Sequence, residues 1–271
     1  MSTNRLQAWI FSITVIAALL ACSVSVETGN TPEIPLPFGA TDTSAPPVAA
    51  TTAAPPADPW AALTISVIEA FPAPSVPSDS ITTRTPQLAG VVDPRVDQFN
   101  LEANNLITAE VTQFNADAAG VAGTSPGPSY LENDVDIFYF GSGLVSVRFN
   151  FELYLGGAHP IHYTKILNFD VNTGSHLALS QMFTGGADYL TPLSTFCTTE
   201  LTTSGVLEFA GGTTPVAGNY ALWNFSATGL TITFEEYQVA SYAVGRQEVE
   251  VPYAALAGIL DGSGAFAPVL P

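Results

Sequence analysis

The spacing of hydrophobic residues changes several times along the chain, and each change marks an element. From Asp93 onward apolar residues recur every three or four positions, at Val96, Phe99, Ala103, Leu106, Ile107, Val111 and Phe114. That spacing places them on one face of a helix. Asp93-Pro94 supplies an N-cap and a first-turn proline, while Gly120 and the cluster from Gly123 to Pro128 predict the end. The period then shortens to two. Val145, Val147, Phe149, Phe151, Leu153 and Leu155 alternate with Ser146, Arg148, Asn150, Glu152 and Tyr154. Strict alternation predicts a strand with the first set on a core face and the second on a more solvated face. A partner strand is expected over 133–140, across Gly141-Ser142-Gly143. A third is expected over 163–171, closed by Asn172-Thr173-Gly174.

Helical spacing returns over 187–202, where Leu190, Leu193, Phe196, Cys197 and Leu201 share one side. Strands are predicted at 220–227 and 230–236, joined at Thr228-Gly229, then near 239–244 and 247–251, with a short helix over 252–260. Helices separated by groups of hairpin-linked strands indicate an α+β fold, a mostly antiparallel sheet packed with two main helices. This single folded region is expected over 78–265, with a smaller half at 78–140 and a larger one at 141–265.

The pattern is different before that region. Arg5 precedes an apolar run from Trp9 to Ala21, too short for the roughly 18 residues of a spanning helix and suited to a signal peptide. Leu19-Leu20-Ala21-Cys22 looks like the lipobox of bacterial lipoproteins, so residues 1–22 read as a lipoprotein signal peptide with Cys22 the lipidated residue. The expectation is export to the cell envelope and a lipid anchor on the extracytoplasmic face of a membrane. Residues 23–77 are rich in Pro, Thr and Ala and carry no Lys or Arg. They read as a disordered linker able to span on the order of 100 Å. Within it, the apolar patch from Trp60 to Phe71 could begin the folded part, as a strand near 63–68.

Charge and cysteine content narrow the chemistry. The net charge is -18, and Lys165 is the only lysine. Such a surface repels nucleic acid and favours basic partners. With Cys22 acylated, Cys197 has no disulfide partner, and its apolar helical setting makes it a small buried hydrophobe.

Several ordered segments carry a family resemblance. They are Gly156-Gly157-Ala158-His159-Pro160, Asn168-Phe169-Asp170 with Thr173-Gly174, Asp188-Tyr189-Leu190, and the strand from Leu230 to Phe234. Tyr237-Gln238-Val239, Tyr242-Ala243-Val244-Gly245 and Val251-Pro252-Tyr253 follow. Their order and spacing over roughly 75–262 resemble the extracellular domain of RsiV-type anti-sigma factors, which sense lysozyme. The same pair of halves resembles the non-catalytic region of PdaC-type peptidoglycan deacetylases. Glu236 departs from the pattern, because relatives commonly carry proline before the tyrosine. The resemblance implies a binding module, with Gly156, Gly157, His159, Asn168, Asp170 and Gly174 as structural motif residues. Only about ten residues precede the apolar run and the chain stops at Pro271. A sigma-binding segment and a metal-dependent catalytic domain are therefore both expected to be absent.

The residues themselves offer little catalytic pattern. His159 and His162 have a two-residue gap, but a glycine–proline turn is not the helix that would converge them on zinc. Adjacent Glu235 and Glu236 point to opposite faces in a strand, and Asp134 and Asp136 share an exposed face. Gly141-Ser142-Gly143 lacks the Gly-x-Ser-x-Gly strand–turn–helix setting of a nucleophile elbow. No catalytic residue, metal ligand or cofactor is expected. Tyr237, Gln238, Tyr242 and Arg246 are the candidate ligand-binding residues, while Tyr237, Tyr242, Tyr253 and Trp223 as a cluster also fit a core role. The expected function is a non-enzymatic, envelope-tethered module that recognises a lysozyme-like cell-wall hydrolase. The alternatives are a peptidoglycan-binding accessory and, less favoured, an unrecognised hydrolase.

Overall fold

The computed structural model of the chain describes residues 58–124 and 126–271. The expectations for the signal peptide, for Cys22 and for the linker up to residue 57 lie outside the described residues. The described chain is α+β. Strands β1 (Thr64–Ala70), β2 (Ser80–Ala89), β3 (Tyr130–Gly141), β4 (Leu144–Tyr154), β5 (Ile161–Asp170) and β6 (Ser175–His176) form one sheet in that order. All neighbours are antiparallel except β2 and β3. Strands β7 (Trp223–Phe225), β8 (Gly229–Phe234) and β9 (Gln247–Pro252) form a smaller antiparallel sheet. The two main helices are α1 (Pro94–Val121) and α2 (Leu190–Thr203).

Helix α1 starts where the sequence places it. The Asp93 carboxylate accepts the Arg95 backbone N–H at 2.9 Å and grips the Arg95 guanidinium. Those bonds from Arg95 hold its pKa down at about 2. Val96, Phe99, Ala103, Ile107 and Phe114 are buried against the odd-numbered face of β4, where Val145, Val147 and Phe149 are fully covered. Phe99 meets Phe169 edge-on at 5.7 Å. Each such side chain contributes roughly 1.5–3 kcal/mol through burial.

A second core lies between α2 and the smaller sheet. Leu193, Cys197 and Leu201 pack there with Trp223, Phe225, Ile232, Phe234 and Phe266. Helix α2 begins three residues later than expected, where the Asp188 carboxylate accepts the Thr191 N–H at 3.1 Å. Cys197 is wholly buried, and that burial pushes its thiol pKa up to about 12.

Four sequence expectations need correction. Residues 239–244 are turns, because the Val239 carbonyl accepts the N–H groups of Glu208 and Phe209 rather than a strand partner. Of 220–227 only Trp223–Phe225 is strand, and Tyr220 ends a short 3-10 turn. The helix expected over 252–260 is one 3-10 turn at Tyr253–Leu256. The even-numbered face of β4 is not solvated along its length, since Ser146 is fully buried and Arg148 is 5% exposed. In addition β1, inside the stretch read as linker, is ordered by antiparallel pairing with β2. Its residues are mostly exposed, so the backbone ladder holds it more than a buried apolar face does.

Candidate functional site

The register of β3, β4 and β5 sets four rows of side chains on the face opposite α1. They are Tyr139, Ser146 and Asn168; Asp136, Arg148 and Ile166; Asp134, Asn150 and Thr164; and Glu132, Glu152 and His162. A bulge between Ile137 and Tyr139 resets the alternation of β3, which lets Asp136 and Tyr139 share that face.

The first two rows are roofed by the smaller sheet. Asn224 Nδ2 donates to Ser146 Oγ at 2.9 Å, the Phe225 N–H donates to the same oxygen, and Ser146 donates to Asn168 Oδ1 at 2.6 Å. Asn168 Nδ2 donates to the Trp223 carbonyl at 2.8 Å. Arg148 donates to Asp136 at 2.8 Å and to Thr233 Oγ1 at 3.1 Å, and it pairs with Glu248 at 2.9 Å. Its guanidinium lies over Phe138, 4.8 Å from the ring centre. Burial pushes the Asp136 carboxyl pKa up, but hydrogen bonds from Asn150 and Arg148 outweigh it and hold the pKa low.

Past Arg148 the rows open into a cleft of about 530 Å³. Its cover is the loop between β8 and β9. Glu132, Asp134, Glu152, Glu236 and Glu248 line it against Arg84, Arg246 and His162. Both arginines are already neutralised, Arg84 by Glu69 at 2.7 Å and Arg246 by Glu248 at 3.1 Å. Arg246 also donates to Asn150 Oδ1 at 2.6 Å. His162 Nδ1 lies 2.9 Å from Glu236 Oε1, and its Nε2 lies 3.6 Å from Glu152 Oε2. Tyr130 donates to Glu152 at 2.6 Å, and that bond, helped by burial, pushes the phenol up to about 12. The cleft is therefore net acidic and suited to a cationic ligand.

An aromatic shelf adjoins the cleft. Tyr242 packs on His159 with ring centres 3.9 Å apart and lies 6.1 Å from both His162 and Tyr237. The Tyr242 hydroxyl donates to the Pro160 carbonyl at 3.1 Å, and burial together with Glu236 raises its pKa. Tyr237 is 62% exposed at φ +66°, a left-handed conformation that bulky residues rarely take. Glu236, the departure noted in the sequence, uses its side chain to hold His162.

Three of the four candidate ligand residues, Tyr237, Tyr242 and Arg246, thus converge on one side of the cleft. Gln238 does not. Its amide donates to the carbonyls of Gly212 and Asn219 and accepts the Glu235 N–H, so it fastens the loop from behind. Among the motif residues, His159 contacts its neighbouring Pro160 carbonyl and Asn168 ties the sheets. Asp170 accepts from the Asn172 N–H and the Thr173 hydroxyl in the turn that Gly174 completes at φ +71°. Gly156 turns the chain at φ +91°, and the Gly157 carbonyl accepts from Tyr154. Among the described residues no group of three or more His, Cys, Asp or Glu is placed to hold a metal.

Residues 180–254 match the family model described as "Protein of unknown function (DUF3298)". The DUF3298 segment takes in α2, the smaller sheet and the loop carrying Tyr237, Tyr242 and Arg246. The chain is also 28% identical over 135 residues to the peptidoglycan-N-acetylmuramic acid deacetylase PdaC of Bacillus subtilis (strain 168). That stretch is 48% of this chain and spans only 29% of the relative's length. The fold is that of a DUF3298 family member from Bacteroides fragilis NCTC 9343, with a TM-score of 0.55 at 19% identity over 74% of this chain and 94% of that one. A second, from Pseudomonas aeruginosa PAO1, gives 0.49 at 15% identity over 73% and 94%.

The residues that reading the sequence missed are Glu152, Arg84 and Glu132, and His162, weighed there only as half of a zinc pair, lines the cleft instead. For Glu152 the one sequence signal is the polar half of the period-two pattern in β4, read as more solvated; Arg84 and Glu132 lie on β2 and β3 and have no such signal.

Proposed function

We propose that this chain is a non-enzymatic recognition module of the bacterial cell envelope. Its ligand is a basic, lysozyme-like cell-wall hydrolase, held in the acidic cleft and against the Tyr237–Tyr242 shelf. The observation that carries this reading is the pairing of a net-acidic cleft with an exposed, conformationally strained tyrosine at its rim. Basic side chains of such an enzyme would meet Glu132, Glu152 and Glu236, and Tyr237 would supply the apolar anchor. The folded region, which takes in β1, would stand off the membrane on the linker before it, anchored through lipidated Cys22. The sequence resemblance to lysozyme-sensing domains supports the same partner.

The name of the curated relative favours a second reading, binding of peptidoglycan itself, with the tyrosines stacking on sugar rings. Titration of the chain with a basic lysozyme at low and high salt separates the two, beside co-sedimentation with purified peptidoglycan. The first reading expects salt-sensitive lysozyme binding weakened at least tenfold by Glu152→Gln with Glu236→Gln. Co-sedimentation with glycan without any lysozyme binding would reject it in favour of the second. Release of soluble muropeptides by the purified chain would overturn both. For the anchor, Cys22→Ala should move the protein from the membrane to the soluble fraction with its circular dichroism unchanged, and continued membrane retention would sink the anchor.

A further inference from the structure

Among the described residues, the outer edge of β1 is open. One edge pairs with β2, and among the described residues no segment pairs with the other. An unpaired edge is a template for another strand, and proteins commonly blunt it with lysine, proline or a bulge. β1 has none of these between Thr64 and Ala70. Val67 and Ile68 are 39% and 51% exposed, and Phe71 just beyond the strand is 71% exposed.

Charge selects the partner. At a net charge of -18, a second copy is repelled over most of the surface. The β1–β2 ribbon is locally neutral, because its only charged residues, Glu69 and Arg84, pair with each other at 2.7 Å. A shallow hollow beside it, lined by Ile68, Ala70, Thr85, Gln87 and Asn104, holds no charged group. The strand also reads compatibly against itself. In a two-fold antiparallel pair centred on Val67, each Val67 meets its copy and each Glu69 falls opposite Ile65. The two carboxylates then stand about 13 Å apart along the strands, beyond a Debye length of roughly 8 Å in physiological salt.

We infer that two copies of this chain join β1 to β1 about a two-fold axis at Val67, merging their six-stranded sheets into one. Sedimentation velocity of the full chain carrying Cys22→Ala should show a dimer whose fraction rises with protein concentration and with salt, as screening relieves the repulsion. Val67→Lys places two ammonium groups face to face and should weaken the dimer at least tenfold, while Val67→Thr should keep it. Facing Cα atoms in an antiparallel pair are about 4.5–5.5 Å apart, within disulfide reach. Val67→Cys should therefore cross-link on mild oxidation, and Ile65→Cys, opposite Glu69, should not. A monomer at every concentration, as expected if β1 instead accepts a strand of a different protein, overturns the inference. So does a dimer indifferent to Val67→Lys, or equal cross-linking at both cysteines.

Discussion

The two faces of β4 are made by one strand and do different work. The odd face presents Val145, Val147, Phe149 and Phe151 to α1, all buried, in a dry apolar core. The even face runs from Ser146, fully buried beneath the smaller sheet, through Arg148 at 5% exposure, to Glu152 with a side chain 43% exposed in the cleft. Its polarity is constant while its burial is graded. One end of the polar stripe docks a sheet through hydrogen bonds, with the Asn224 side-chain oxygen left unpaired, and the other end opens into the cleft. Sheet docking and the ligand capture proposed above thus fall on a single row of alternate residues.

Breaking the odd face should cost most. Phe149→Ala leaves a cavity in a close-packed core and should destabilise the fold by about 3–5 kcal/mol, read from urea unfolding. A loss below about 1 kcal/mol would mean that α1 packs elsewhere. On the even face Ser146→Ala removes few apolar contacts but strands the Phe225 N–H and the Asn224 amide, which both donate to its hydroxyl. Orphaned buried donors cost about 1–3 kcal/mol each, partly relieved by Asn224's remaining bond to the Val147 carbonyl, so a loss of about 1–3 kcal/mol is expected. Equal losses from the two substitutions would erase the contrast between a packed face and a hydrogen-bonded one.

The middle of the stripe should respond to acid. Asp136 has a folded pKa below the ordinary carboxylate value, so its contribution is complete above about pH 4 and is lost as pH falls through the lower folded value. Arg148→Met keeps a stem over Phe138 but removes the guanidinium, and burial then acts on Asp136 with only Asn150 and the charge of Arg246 opposing it. The acid-unfolding midpoint should move to higher pH, while stability near neutral pH falls modestly because Asp136 is half-exposed. An unchanged midpoint would show that Arg148 does not set the Asp136 proton affinity.

The apolar side of this comparison was legible in the sequence and the polar side was not. Period-two and period-3.6 spacing announce Phe149 and Phe99 without knowledge of what covers them, because an apolar face is buried whatever its neighbour. A polar face can meet water or a second polar surface, and the pattern is identical for both. Only the long-range partners Asn224 and Thr233, some 80 residues on, decide it. The turn at 239–244 was misread for a related reason. Val239 and Ala240 are as buried as strand residues, yet the Val239 carbonyl is bonded from the loop after α2 and the Ala240 carbonyl from Tyr237 in its own loop. The candidate site was half legible, since tyrosines and Arg246 stand out by composition, while Glu152 looks like an ordinary outward strand position and His162 like part of a turn.

The smallest effect on stability should come from the rim of the cleft, and it separates folding from binding most sharply. Tyr237 holds φ +66° with its ring mostly in solvent, so the fold gains little from the side chain and bears the strain of a bulky residue in the left-handed region. Glycine takes that backbone conformation freely, although it also loosens the unfolded chain. Tyr237→Gly should therefore leave stability within about 1 kcal/mol of the parent. The loop would stay in place, because Gln238 still fastens it to Gly212 and Asn219. Affinity for the cleft's ligand should nonetheless fall at least tenfold, about 1.4 kcal/mol, if the ring is the anchor. Unchanged binding in a variant of unchanged stability would place recognition in the carboxylates alone, and the strained tyrosine would then lack a reason at this site.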